Sequence, residues 1–118
     1  MKIGNIYKSL PSAMPDELIE DILNIPGIRI ERIVSQGHTA PARGWYDQDE
    51  HEWVIVLHGA AVLTFEQAGD VRLEAGDYLN IPAHCRHKVS WTDPEQQTVW
   101  LAVFYATSDQ TPNSAGKP

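Results

Sequence analysis

The sequence predicts an all-β domain, either a sandwich or a barrel. Three observations carry that reading. Seven or eight short segments rich in Val, Ile, Trp and Tyr follow one another between residues 28 and 105. Turn residues separate them at Gly37, Pro41, Gly44, Gly59, Gly69-Asp70, Gly76-Asp77, Pro82 and Pro94. The connections are too short for the crossovers that join parallel strands.

Taken in order, residues 1–27 form an N-terminal extension. Pro11 to Leu23 reads as a short helix. Pro15 suits a first turn, and Asp16, Glu17 and Glu20 lie toward the favourable end of the dipole. Leu18, Ile19 and Ile22 make one apolar stripe, and Pro26-Gly27 stops it. The expected role is a lid or packing element on a sheet. From Ile28 the pattern alternates. Ile28–Ile30 with Ile33-Val34, Glu52–Leu57, Ala61–Glu66, Val71–Leu73, Tyr78–Ile81, His87–Trp91 and Thr98–Tyr105 read as strands of a domain over residues 28–106. Residues 107–118 have almost nothing to bury and read as a flexible tail.

With 118 residues there is room for one domain and one core. Nine Lys and Arg against 16 Asp and Glu give a net charge of −7. That balance disfavours nucleic acid, because neutralising phosphates takes an excess of positive charge. It disfavours an anionic membrane surface for the same reason. The longest near-apolar run, Trp53 to Leu57, is too short to span a bilayer, and Met1 to Leu10 lacks the apolar stretch of a signal peptide. The single cysteine, Cys85, leaves no internal disulfide and suits a cytoplasmic protein.

Two segments concentrate chemistry. Asp47, Asp49, Glu50 and Glu52 crowd four carboxylates around His51, and either a solvated turn or a bound cation would relieve their repulsion. Downstream, Gly76-Asp77 makes a turn, Pro82 ends a strand, and His84 and His87 flank Cys85-Arg86. Two histidines three residues apart after a strand can converge on one ion.

The joint spacing resembles the two motifs of the cupin superfamily. Glu52 is followed by six residues and Gly59; Gly76 is followed by five residues and Pro82, then four more and His87. The wording around Trp45-Tyr46-Asp47-Gln48, Glu52-Trp53 and Ile81-Pro82-Ala83-His84 also looks like small single-domain bacterial cupins. The resemblance covers roughly residues 28–105 and implies a jelly-roll β-barrel. It also implies a divalent metal (Fe, Mn, Zn or Ni) and a small polar ligand. Oxygenation, isomerisation and lyase action are the candidate chemistries, and a ligand-binding or sensor protein without metal is the alternative. The departures are as informative as the matches. Neither spacing before Glu52 puts a histidine where the first motif has two: one gives Tyr46 and Gln48, the other Trp45 and Asp47. His84 stands where the second motif has glycine, and Trp91 where it has Asn.

Alternation along an extended chain gives two phases for the site. In one, Tyr46, Gln48 and Glu52 face inward with His87, Gln48 acting as a ligand or orienter and Tyr46 as a hydrogen-bond donor or acid. In the other, a bulge turns Asp47 and His51 inward to make a two-histidine, one-carboxylate set with His87, which suits Fe(II). His84 reads as a ligand, a neighbour of the ligands or a rim residue. The aromatic residues, Trp45 and Tyr46 excepted, read as core or a dimer face. A homodimer is expected through the apolar strands Ile28–Val34 and Thr98–Tyr105, since a closed twofold pair is the commonest way to cover such surfaces.

Overall fold

The computed structural model describes residues 1–107, so the expected tail lies almost entirely outside the described residues. Eight strands follow in order: β1 (Leu18–Ile25), β2 (Ile28–Ser35), β3 (His51–His58), β4 (Ala60–Phe65), β5 (Gly69–Glu74), β6 (Tyr78–Ile81), β7 (His87–Thr92) and β8 (Thr98–Tyr105). They form a five-stranded sheet, β1-β2-β8-β3-β6, and a three-stranded sheet, β5-β4-β7, with every ladder antiparallel. The described residues contain no helix, and so none long and apolar enough to cross a membrane.

The expected closed barrel is not formed. The connection from β2 to β3 runs beside β7 and makes two isolated bridges, Ala40 to Val89 and Tyr46 to His87, where a barrel would need a continuous ladder. Gly37, Pro41 and Gly44 fall in this connection, and a prolyl nitrogen has no hydrogen to donate. The two sheets instead face each other as an open jelly-roll sandwich. Val54, Val56, Leu63, Phe65, Leu73, Ile81 and Trp100 pack between them as the core.

The helix expected over Pro11 to Leu23 is also absent. Residues 11–17 are irregular and Leu18–Ile25 is a strand. Pro26-Gly27, read as a helix stop, is a tight turn with Gly27 at φ +84°. It folds β1 back on β2 with Ile25 opposite Ile28 and Leu18 opposite Val34. Three β-branched isoleucines in β1 suit that pairing, and the register shift between Asp21 and Leu23 explains why the apolar spacing imitates a helix. The segment before β1 is tied to the outer face of the sheet. Arg32 is opposite Glu20 in the ladder, pairs with its carboxylate, and donates from Nη1 to the carbonyls of Ile6 (3.1 Å) and Lys8 (2.6 Å).

Ladder partners point to the same face, which sorts the large sheet into two sides. Arg29, Glu31, Ile33 and Ser35 of β2 face the opposing sheet together with Trp100, Ala102 and Phe104 of β8. Ile28 and Ile30 face outward with Val103 and Leu101, and β3 adds Trp53 and Ile55 to that side. Leu23, Ile25, Ile28 and Tyr78 are exposed there.

Gly59 shows how closely the β3–β4 hairpin approaches β8. Its φ is +90°, and a Cβ there would fall on Thr98 Oγ1 and lie 2.7 Å from Thr98 Cα. Thr98 is fully buried, and its hydroxyl donates to the Ala60 carbonyl at 3.1 Å. Gly59→Ala is therefore expected to destabilise the fold by roughly 2–4 kcal/mol, combining backbone strain with a clash. Chemical denaturation checks this; a loss below about 1 kcal/mol would show that the hairpin can move aside.

Candidate functional site

A cavity of about 210 Å³ lies between the two sheets. Its apolar wall comes from Ile33, Val54, Leu63, Ile81, Val89 and Trp100, and its polar groups are Glu17, Arg29, Glu31, Ser35, Tyr46, Gln48, Glu52 and His87. Burial alternates strictly along β3, with Glu52, Val54 and Val56 buried and the residues between them half-exposed. That alternation brings Glu52 inward. His87 opens β7 on the opposing sheet, and its backbone exchanges hydrogen bonds with Tyr46 (Tyr46 N to His87 O 2.7 Å, His87 N to Tyr46 O 3.2 Å). The bridge fixes the two side chains next to each other, with ring centres 5.6 Å apart.

His87 and Glu52 are 3% and 8% exposed, and His87 Nε2 lies 3.6 Å from Glu52 Oε1. The other ring nitrogen, Nδ1, is 2.8 Å from the Cys85 carbonyl. A carbonyl only accepts, so Nδ1 carries a hydrogen and Nε2 is the nitrogen that gains or loses a proton. Burial pushes the His87 pKa down, but Glu52 and the Cys85 carbonyl outweigh it and hold the imidazolium above the usual histidine range. Tyr46 shifts upward through burial and the nearby carboxylates of Glu17, Glu52 and Glu31, so its phenol keeps its proton.

The structure brings together Tyr46, Gln48, Glu52 and His87 on the cavity and keeps the other named residues out of its lining. His51 is on the outer side of β3; its Nδ1 accepts from the Ala83 amide at 3.0 Å and its ring packs on Tyr105. Asp47 turns outward to His84 Nδ1 at 2.7 Å, and His84 Nε2 lies 3.4 Å from Asp49. His84 has φ +62°, a left-handed conformation that favours glycine. Trp45 is under Lys88, whose Nζ is 4.6 Å from the ring centre, and does not line the cavity.

Four polar residues of the lining escape sequence reasoning: Glu17, Arg29, Glu31 and Ser35. Arg29 Nε lies 3.0 Å from Glu31 and Nη1 2.9 Å from Glu50. Ser35 Oγ donates to Glu17 at 3.4 Å. Burial raises the Glu17 pKa despite the opposing influence of Ser35 and His38. The signal that could have found three of them is the period-two pattern Arg29, Glu31, Ile33, Ser35, which gives one face of a strand most of its polar side chains.

The fold and cavity define a class: a double-stranded β-helix domain that encloses a half-polar, ligand-sized space. This chain belongs to the cupin family, whose Cupin domain model matches residues 32–104. Among solved structures, a protein of Ralstonia eutropha JMP134 described provisionally as a mannose-6-phosphate isomerase is 42% identical, with TM-score 0.85, over 91% of this chain and 100% of that one. A cupin superfamily protein of Desulfitobacterium hafniense DCB-2 shares 17% identity with TM-score 0.70, covering 83% of this chain and 84% of its own. An rmlc-like cupin family protein of Methanocaldococcus jannaschii, with a double-stranded β-helix fold, shares 17% with TM-score 0.67, covering 90% and 94%. A search of curated proteins finds no match.

The family implies a divalent metal, and the residues present do not fit one held by the protein. Among the described residues no three His, Cys, Asp or Glu side chains form a group able to hold an ion. Glu52 and His87 face each other and offer two ligands at most, fewer than the three or four that a protein-held ion takes. Tyr46 and Gln48 add only a protonated phenol and a neutral amide.

The pH dependence follows from the sign of the His87 shift. A raised folded pKa contributes stability that is complete below the unfolded value of 6.5 and is lost as pH rises through the folded value. The melting-temperature advantage of wild type over His87→Gln is expected to be largest below the unfolded value of 6.5 and to shrink as pH rises above it. Circular dichroism melts across that range measure it. An advantage that grows with pH would mean that the neutral ring is the favoured form.

Proposed function

We propose that this cupin binds a small polar molecule in the cavity between its sheets and exchanges a proton with it through His87, without a protein-held metal. The observation that carries the reading is the buried Glu52–His87 pair, facing each other in the wall of a cavity. A histidine whose basicity is raised by a buried carboxylate is a proton acceptor poised near neutral pH. His87 Nε2 takes a proton from the bound molecule, Glu52 stabilises the resulting imidazolium, and the proton returns at a neighbouring position. The Tyr46 phenol, kept protonated, donates a hydrogen bond to the ligand oxygen on which charge develops. Gln48 orients the ligand. This is isomerase-type chemistry, and the name given to the Ralstonia eutropha relative supports that class. A ligand-binding cupin without catalysis is the alternative, favoured by the absence of histidine at residues 46 and 48.

The test is a ligand screen by thermal shift on EDTA-treated protein, followed by incubation of each binder in deuterium oxide. Ligands are expected to bind without metal, to gain deuterium with wild type, and to gain none with His87→Gln while still binding. Binding without deuterium uptake would favour the non-catalytic reading. Loss of binding on metal removal, restored by adding the ion, would overturn the metal-free one.

The reading includes a homodimer through the outer face of the five-stranded sheet. The middle of that face, Ile30, Leu101, Val103 and Ile55, is apolar, and Arg32 beside Leu101 is already paired with Glu20, so two chains of equal net charge can meet there without burying an unpaired charge. Exposed Ile25 and Ile28 extend it. Light scattering is expected to give about twice the chain mass for wild type and one chain mass for Ile28→Glu. A wild-type monomer at high micromolar concentration would refute the dimer.

A further inference from the structure

The charges around the cavity do not balance. Its lining has three carboxylates, Glu17, Glu31 and Glu52, against one arginine and one histidine. Neither basic group is free to pair with an incoming anion. Arg29 is engaged by Glu31 and Glu50 and stacks 4.2 Å over the Phe104 ring centre. His87 is engaged by Glu52 and the Cys85 carbonyl. Glu17 has the Ser35 hydroxyl, at the long distance of 3.4 Å. Arg86, Arg32 and Lys88 do not line the cavity, and each is engaged elsewhere: Arg86 by Glu66, Arg32 on the outer face, Lys88 over the Trp45 ring. Burial first, and then the carboxylates of Glu17, Glu52 and Glu31, keep the Tyr46 phenol protonated, so the lining adds a neutral donor and no further positive group.

A second observation concerns a donor. Trp100 lines the cavity and is 3% exposed, and its Nε1–H is a buried donor with no partner among the described residues. An unsatisfied buried donor is costly, and a ligand oxygen packed into that wall would supply an acceptor.

We propose that the cavity selects a small molecule bearing a protonated amino group next to a hydroxyl or carbonyl oxygen, with the amino group against Glu17, and that it rejects phosphate esters. This rests on the small-molecule reading above and names its ligand class. An ammonium group supplies a full positive charge beside Glu17, which otherwise has only the Ser35 hydroxyl and the weaker influence of His38, and relieves the burial of its carboxylate. A phosphate dianion would meet three carboxylates and find both basic groups already engaged. The phosphorylated sugar in the name of the Ralstonia eutropha relative is therefore the wrong charge for this cavity.

Three probes with the same two-carbon skeleton separate charge from shape: 2-aminoethanol, ethylene glycol and 2-hydroxyethyl phosphate. Titration of the isotopically labelled protein, followed by amide resonances of Tyr46, Val54 and His87, reads binding even when it is weak. 2-Aminoethanol is expected to bind about tenfold more tightly than ethylene glycol, the factor that about 1.4 kcal/mol of charge pairing supplies. 2-Hydroxyethyl phosphate is expected to leave the cavity resonances unmoved. Glu17→Gln is expected to remove the tenfold preference of amine over diol. Binding of the phosphate ester at the cavity, or equal binding of amine and diol, would overturn the charge inference and leave the small-molecule reading standing. A preference that survives in Glu17→Gln would overturn the assignment to Glu17. Cavity resonances unmoved by all three probes would overturn both readings.

Discussion

The register of β3 is the constraint on which the site depends. Successive side chains of a strand point to opposite faces, so a slip of one residue exchanges the whole set. In the observed register Glu52 faces the cavity and Val54 and Val56 enter the core. The other register would send Glu52 outward and drive His51, Trp53 and Ile55 between the sheets. The strand has no freedom to choose: it is paired on one side with β8 and on the other with β6, and Val54 and Val56 are almost completely buried. The same alternation runs back through the irregular chain before it. Glu50 reaches Arg29, Gln48 and Tyr46 line the cavity, and Asp47 and Asp49 turn out to His84.

That register creates an electrostatic problem which the opposing sheet resolves. A carboxylate as buried as Glu52 needs a partner, because desolvation alone costs several kcal/mol (roughly, for a single ion). His87 arrives from β7 in the one position that supplies it. The bridge between Tyr46 and His87 holds β7 against the β2–β3 connection, and the Cys85 carbonyl fixes the ring's orientation. The pair, the bridge and the carbonyl act as one unit, so a change at any of them reaches the proton on Nε2. The side chain that most affects cavity chemistry is thus positioned by main-chain contacts as much as by its partner.

The strands from Ile28 onward were legible because their periodicity and turn residues agree with their tertiary pairing. Tyr46, Gln48, Glu52 and His87 were legible as a set because alternation survives even where the ladder does not. The helix was misread because a bulged strand ending in Pro-Gly and a capped helix share the same punctuation, and only the pairing of β1 with β2 separates them. That error hid Glu17. The inward face of β2 was hidden differently: isoleucines at residues 28 and 30 look like core, yet Ile28 is exposed. His84 explains one departure from the family motif. The backbone there has the positive φ that the motif's glycine would accommodate, and the Asp47 and Asp49 carboxylates lie close to the histidine that stands in its place.

β2 reverses the usual arrangement of a sandwich strand. It turns Arg29, Glu31 and Ser35 toward the opposing sheet and Ile28 and Ile30 away from it. Both halves of the reversal agree with the proposed function. The inward half makes a cavity whose polar groups stay wet or meet a ligand. The outward half leaves an apolar surface that a second chain can cover. One strand therefore couples the two properties: inverting it to strengthen the core would remove the carboxylate and the arginine from the cavity and the isoleucines from the outer face in a single step.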